Sequence, residues 1–312
     1  MLRIRRVLCP VDFSSFSRHA FDRAVAVARS HHAVVTALHV LPVASPVPAV
    51  PFGPEGPGPF GLEIVDRDRV IAELPQFLGL DRSASLTVEQ QIVEAPSVRK
   101  EILLQAERLS ADLIVMGSHG RSGFDRLLLG SVTEKVLRTS TVPVMTVPSQ
   151  APVVEQPRGD PFRRILYATD FSGGSEMALR YAAMLASHAG APLTAMHVVE
   201  PLPVGFDPIV GASFDVATYE TALERHAWTK LRAFVPGSVR RECETIDLVT
   251  IGRPYVEILR AAAARDIDLI VLGVHGRNAL DRLVFGSTAE HVVRRSICPV
   301  LTVRDDATPH EA

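Results

Sequence analysis

Cysteine is scarce: Cys9, Cys243 and Cys298 are the only thiols in 312 residues. So few, spaced so far apart, exclude a disulfide-built scaffold and fit a reducing compartment. Long apolar runs are missing as well. No stretch approaches the roughly 20 apolar residues needed to span a bilayer. Asp12 cuts short the apolar run near the start, which makes the basic opening a poor export signal. Charge of one sign is also lacking: 33 Lys and Arg face 35 Asp and Glu, a net of -2. Such a balance offers no global attraction to nucleic acid or an anionic membrane. A soluble cytoplasmic protein is the expectation. Two catalytic strings are absent too. There is no Gly-rich loop ending in Gly-Lys-Ser/Thr, and no serine sits in a nucleophile elbow. His119 and His275 have no Cys/His cluster beside them and read as loop residues, not metal ligands. No catalytic or metal-binding residue is assigned.

What is present is a repeat. "RRVLCPVDFS" from Arg5 answers to "RRILYATDFS" from Arg163, and "TALHVL" from Thr36 to "TAMHVV" from Thr194, both 158 positions apart. "ADLIVMGSHGR" from Ala111 matches "IDLIVLGVHGR" from Ile267, and "DRLLLGS" from Asp125 matches "DRLVFGS" from Asp281, now 156 apart. The second copy has therefore lost two residues in between. Ordered agreement over nearly the whole length means duplication. The expected division is a first domain at 1–148, a Pro-rich linker at 149–160, a second domain at 161–305 and a polar tail at 306–312. At 47% hydrophobic residues, each half can bury its own core.

Both halves alternate short β-branched runs with helical patterns. In the first, strands are expected at 6–9, 34–40, 86–93, 113–116 and 144–147. Phe21, Ala24, Val25 and Ala28 share a helical face, with Ser14 or Ser15 as its cap. Pro96 marks the start of another helix, with Ile102, Leu103 and Ala106 on its apolar stripe, and 131–138 reads as a further one. In the second half, strands are expected at 165–167, 193–198, 244–249, 269–272 and 300–303, and Tyr219, Leu223, Ala227 and Leu231 mark a helix. The strands lack polar alternation, which suits parallel strands covered on both faces by helical crossovers, a doubly wound α/β layout. The Pro/Gly-rich stretch at 42–61 is too long for an ordinary connection; a flap over a ligand and an ordered surface loop both fit it.

The sharpest signal follows the fourth strand of each copy. Gly117, Gly120, Gly130 and Ser131 repeat as Gly273, Gly276, Gly286 and Ser287, with G-x2-G-x9-G-S spacing in both. Glycines at a strand end permit a tight turn and let a ligand approach the amides. The Gly-Ser pair opens the next helix, where unpaired N–H groups and the helix dipole favour phosphate. Ser131 with Glu134, and Ser287 with Glu290, have capping-box spacing. Ordinary turns and caps are the competing reading. Arg121 and Arg277 lie inside the loops, either paired with phosphate or solvated, and Asp125–Arg126 and Asp281–Arg282 read as loop-stabilising pairs. Asp12 and Asp170 end the first strand, facing the crevice of an open α/β sheet. Each is read as a ribose acceptor, a holder of a hydrated metal ion or a helix cap. His39 and His197 in the second strand read as core histidines, with the backbone of Val40 and Val198 meeting an adenine edge instead.

Together these residues resemble the universal stress protein family, in particular its tandem-domain, nucleotide-binding members. The resemblance covers residues 5–147 and 163–303. It implies a five-stranded parallel sheet of order 3-2-1-4-5 in each domain, covered by helices, with ATP or another adenine nucleotide, and any Mg2+ carried with it, at the ends of strands one and four. On the adenosine side the resemblance points to Pro10, Asp12, Val40 and Met116 in copy one, and to Ala168, Asp170, Val198 and Leu272 in copy two. On the phosphate side it points to Gly117, Ser118, Gly120, Gly130 and Ser131, and to Gly273, Val274, Gly276, Gly286 and Ser287. Copy two departs at Ala168 and Val274, and copy one carries Glu94 where copy two carries Gly252. Inequivalent sites follow, copy two being the weaker in direct phosphate contacts. The implied role is a nucleotide-binding regulator or sensor in stress response, with slow ATP hydrolysis at most. A weak ATPase and a nucleotide-independent scaffold are the alternatives. The fifth strands, expected at the sheet edges, invite pairing of the two copies as a covalent pseudo-dimer, the region through which the resembling family dimerises. A further homodimer and an unidentified regulatory protein are the other expected partners. Cys298, beside that edge, reads as buried structure.

Overall fold

The computed structural model describes residues 2–43, 67–79, 86–119, 129–151, 160–201, 216–274 and 285–305. The first half builds β1 (Arg6–Pro10), α1 (Ser15–His31), β2 (Val34–Pro42), α2 (Arg67–Leu78), β3 (Val88–Ala95), α3 (Val98–Arg108), β4 (Leu113–Gly117), α4 (Ser131–Thr139) and β5 (Val144–Val147). The second builds β6 (Ile165–Ala168), α5 (Gly173–Ala189), β7 (Leu193–Val199), α6 (Val216–Phe234), α7 (Gly237–Glu242), β8 (Thr245–Ile251), α8 (Pro254–Ala264), β9 (Leu269–Gly273), α9 (Ser287–Arg295) and β10 (Val300–Val303).

The strands run in the order β3-β2-β1-β4-β5-β10-β9-β6-β7-β8. Each half thus has the expected 3-2-1-4-5 order, the second running in reverse along the sheet from the first. All pairings inside a half are parallel. The exception is the seam. There β5 and β10 pair antiparallel, Val144 opposite Thr302 and Thr146 opposite Val300. Thr146 donates its hydroxyl to the Val300 carbonyl at 3.3 Å and Thr302 to that of Val144 at 3.1 Å, a reciprocal pair about a pseudo-twofold axis. Strands expected at two separate edges therefore close one ten-stranded sheet.

The central strands are buried on both faces because alternate residues feed two different layers. Val7, Cys9, Met145, Tyr167 and Leu301 join one apolar cluster. Leu8, Ile114, Leu166 and Ile270 join the other. Each cluster continues across the seam. α1 buries more than a simple stripe for the same reason: Arg23 is buried with Phe21 and Ala24, and its guanidinium donates to the Pro161 carbonyl of the other half at 3.2 Å.

The remaining edges, β3 and β8, carry charge. Glu89 and Glu94 lie exposed on β3, and Asp247 on β8 pairs with Arg240 at 2.9 Å. Such side chains discourage further strand addition. Sequence periodicity had no signal for α2, which follows the Pro/Gly-rich stretch, or for the one-turn α7. The third strand begins at Val88, two residues later than expected, and runs on to Ala95. Residues 44–61 of the long loop lie outside the described residues, as do 152–159 of the expected linker and the tail at 306–312.

Sheet register corrects one alignment. Leu41 pairs with Glu94 and Pro42 with Ala95, while Val199 pairs with Ile251. Since Leu41 answers to Val199, the counterpart of Glu94 is Ile251, and that of Gly252 is Ala95. One residue was lost ahead of the third strand and one between it and the next helix. Gly252 sits at φ +155 with the Glu257 side chain against it, a conformation that suits glycine.

Candidate functional site

In each half the chain leaves the first strand, packs its next two strands on one side, then crosses to the other side for the fourth. A crevice opens where these directions diverge, beyond the carboxyl ends of β1 and β4, and of β6 and β9. Because β5 and β10 run antiparallel, the two crevices lie at opposite ends of the sheet.

Asp12 and Asp170 stand at the lip of these crevices. Asp12 Oδ1 accepts from the Ser14 amide at 3.0 Å and its hydroxyl at 2.5 Å. Asp170 Oδ1 accepts from Ser172 in the same way, at 3.0 and 2.6 Å, and also from the Ser175 hydroxyl at 2.5 Å. The helix caps themselves are Ser14 and Ser172, which accept from Ser17 and Ser175 amides. Of the two serines offered by the sequence, Ser14 is the cap. The aspartates thus fix the entry turn, one residue before a left-handed Phe13 (φ 63) or Phe171 (φ 65). Those rings pack on His39 and His197, with centroids 4.9 and 4.2 Å apart. The histidine Nδ1–H donates to the Val11 carbonyl at 2.7 Å, or to Thr169 at 2.8 Å. Both histidines therefore brace the turn from behind.

The second strand overshoots the first. Leu38 is the last residue of β2 to face β1, and its carbonyl accepts from Val11 N–H. Alternate residues present their peptide groups to the same side, so Val40 offers its amide and carbonyl beyond the end of β1. Val198 does the same beyond Met196, whose carbonyl takes the Thr169 amide. Pro10 and Ala168 end the first strands, and Met116 and Leu272 are buried near the ends of the fourth.

The glycine loop is more structural at its base than the spacing indicates. A Cβ on Gly117 would come within 3.1 Å of Phe16 and 3.0 Å of the His119 carbonyl. One on Gly273 would come within 2.9 Å of the Gly174 backbone. These glycines let the first turn of α1 or α5 press against the strand end. The expected phosphate contacts at Ser118 and Val274 are also placed differently. Their amides donate to Val147 at 3.1 Å and Val303 at 2.9 Å, and their carbonyls accept from Gly130 and Gly286. Both side chains are buried. The Ser118 hydroxyl shares a hydrogen bond with His119 Nδ1 at 2.8 Å, and burial holds that ring's pKa below the ordinary histidine value. These residues clamp the loop's two ends to the seam strand.

The upper half of the cradle is the helix start. Gly130 and Gly286 are the N-caps of α4 and α9, and neither has a side-chain cap hydrogen bond. The capping boxes do not form: Ser131 and Ser287 are the first helical residues, exposed, while Glu134 and Glu290 pair forward with Arg138 at 2.8 Å and Arg294 at 2.7 Å. What remains is a helix N-terminus with an exposed hydroxyl, arranged identically in both halves. Its amides and dipole favour an anion. Thr133 binds the Gly117 carbonyl at 2.9 Å in the first half; Ala289 takes its place in the second. Gly120, Arg121, Gly276 and Arg277 lie outside the described residues, with Asp125, Arg126, Asp281, Arg282 and His275.

Comparison with known proteins agrees with this layout. The model of the universal stress protein family matches residues 3–148 and again 161–304. A universal stress protein of Mycobacterium tuberculosis is 30% identical over 233 residues, 73% of this chain and 72% of that protein. Another, from Mycolicibacterium smegmatis, is 28% identical over 304 residues, 96% of each chain. Among solved structures, a functionally unknown protein of Pseudomonas aeruginosa superposes with a TM-score of 0.64 at 18% identity, covering 97% of this chain and 93% of that one, a likeness of fold.

Proposed function

This chain belongs to the universal stress protein family, and on that premise we propose that it is a cytoplasmic regulator that binds ATP or a close adenine nucleotide during stress adaptation. The observation that carries the reading is the repeated cradle. In both halves an uncapped helix N-terminus with an exposed serine, Ser131 or Ser287, faces the crevice that also receives the overshooting edge of the second strand. An adenine ring presents a donor and acceptors that the Val40 or Val198 peptide groups complement. A polyphosphate meets backbone N–H groups at Gly130–Ser131 or Gly286–Ser287. In this reading the Asp12 or Asp170 carboxylate accepts from a ribose hydroxyl between them. Gly120, Arg121, Gly276 and Arg277 complete the proposed phosphate loop, and Mg2+ would arrive with the nucleotide. Ser118 and Val274 enter this reading as supports of the cradle.

Binding, not turnover, is the proposed chemistry. Phosphoryl transfer to water demands an oriented nucleophile and neutralised phosphate charge, and the Asp12 and Asp170 carboxylates already serve their entry turns. Hydrolysis is therefore expected to be slow. Small molecules released by denaturing gently purified protein, quantified per chain by mass spectrometry, test the reading. Up to two adenine nucleotides per chain are expected. No nucleotide, together with no binding of Mg-ATP at millimolar concentration, sinks it in favour of a nucleotide-independent scaffold.

A further inference from the structure

The two cradles open at opposite ends of the sheet, yet their helices meet. α4 precedes β5 and α9 precedes β10, and the antiparallel seam sets the two helices side by side in opposite directions. The first turn of α4 therefore comes within ion-pair reach of the last turn of α9. Arg294, in that last turn, reaches Glu290 of its own helix at 2.7 Å and Glu134 of the other at 4.0 Å. Arg138 holds Glu134 from its other side at 2.8 Å. The contact is reinforced by Arg304, buried after β10, which donates to the Arg138 carbonyl at 2.6 Å.

Glu134 and Glu290 occupy the first turns of the two cradle helices. There each suits the helix dipole but repels an incoming phosphate. A guanidinium beside each carboxylate offsets that repulsion, and Arg294 is placed to serve both. We propose that Arg294 couples the two nucleotide sites negatively, so that filling one lowers the affinity of the other. The inference rests on the nucleotide-binding reading. Phosphate at the α4 N-terminus adds negative charge beside Glu134 and draws Arg294 toward it. Glu290 then loses its counter-charge, and the α9 cradle becomes less hospitable to an anion. The same displacement runs in reverse, as linkage requires. Direct repulsion between the two phosphates contributes little. A nine-residue helix separates the cradles by about 13 Å, beyond the roughly 8 Å screening length at physiological salt. A shared ionic side chain bridges what solvent screening would otherwise silence.

The test uses the full chain and the magnesium complex of a non-hydrolysable ATP analogue, titrated by calorimetry. Gly130→Leu and Gly286→Leu each obstruct one cradle, at N-caps whose φ and ψ (-58, 135 and -59, 135) any residue adopts. Together they give the two intrinsic affinities. Without coupling, the product of the two stepwise association constants of the wild type equals the product of these intrinsic values. We expect it to be smaller by about fivefold or more, the lower range of ordinary coupling, and the same comparison made wholly in an Arg294→Gln background to give equal products. Equal products in the wild type, or an undiminished difference in Arg294→Gln, overturn the coupling while leaving nucleotide binding intact. Failure of every form, wild type included, to bind the analogue at millimolar concentration overturns the nucleotide reading itself. Should a leucine variant lose its wild-type far-UV spectrum, the gap between stepwise constants must narrow about fivefold or more from wild type to Arg294→Gln; an unchanged gap rejects the coupling.

Discussion

Two serines that look alike in sequence do different work. Ser14 accepts the Ser17 amide at 3.1 Å and donates to Asp12, so its hydroxyl ties the start of α1 to the end of β1. Ser131 makes no cap hydrogen bond. Ser14→Ala should therefore cost about 1 kcal/mol of stability, as loss of a cap does. Ser131→Ala should stay within about 0.5 kcal/mol yet weaken Mg-ATP binding several-fold. Urea unfolding and equilibrium titration of the two variants separate these effects; equal stability losses would mean that Ser131 is a structural cap after all. The glycines divide in the same way. A methyl group at Gly273 meets backbone of α5 at 2.9 and 3.0 Å, atoms that cannot swing aside. At Gly117 the nearest atoms lie at 3.0 to 3.1 Å. Gly273→Ala should destabilise by about 1–3 kcal/mol, the usual cost of overpacking, and Gly117→Ala by less. Chemical denaturation midpoints in the reverse order would contradict this packing.

At the scale of elements, the ends of α1 and α5 meet in a histidine stack. His31 and His188 lie 4.0 Å apart with nearly parallel rings. His188 Nε2 donates to the Ser30 carbonyl at 2.9 Å, with Asp160 3.8 Å away. Burial first, then the neighbouring His188 and His32, lower His31 from 6.5 to about 4. Between those values the unfolded chain takes up a proton that the folded chain refuses, so stability present above pH 6.5 declines as pH falls toward 4. His31→Phe keeps a ring in the stack and removes the titration. Its urea midpoint should fall less steeply between pH 6.5 and 4.5 than that of the wild type, and parallel pH profiles would show that His31 does not report on this contact.

The whole molecule is held by the seam. Met145 and Leu301 are fully buried at the centre of the antiparallel pair and belong to one apolar cluster with Cys9 and Tyr167 of the two halves. A sheet and a core that continue across both halves should unfold in one transition. Met145→Ala or Leu301→Ala should each cost about 2–5 kcal/mol, and the double variant should split the calorimetric endotherm into two. A single endotherm in the double variant would place the coupling elsewhere, in the Arg23 and Arg304 contacts. The same antiparallel arrangement sends the two crevices to opposite ends of the sheet.

Much of this was legible in the chain. Repetition at offsets of 158 and 156 gave two like domains, the β-branched runs gave all ten strands to within two residues at their starts and nine of them to within one, and unbroken apolarity gave their parallel, doubly covered setting. The spacing of glycines marked where the crevices lie, because only short-range sterics decide which residues turn a strand into a helix. Other features depend on atoms far apart in sequence. That Gly117 serves the packing of Phe16, that the Ser118 amide belongs to Val147, and that Glu94 aligns with Ile251 each required the sheet register. Capping-box spacing at Ser131 and Glu134 was satisfied in sequence and refused in space, since Arg138 offered the carboxylate a charged partner that a neutral amide could not match. The meeting of Glu134 with Arg294, 160 positions along the chain, exists only because two edge strands paired antiparallel. Local chemistry determined the elements and the cradles; the pairing of their edges decided which charges share one site.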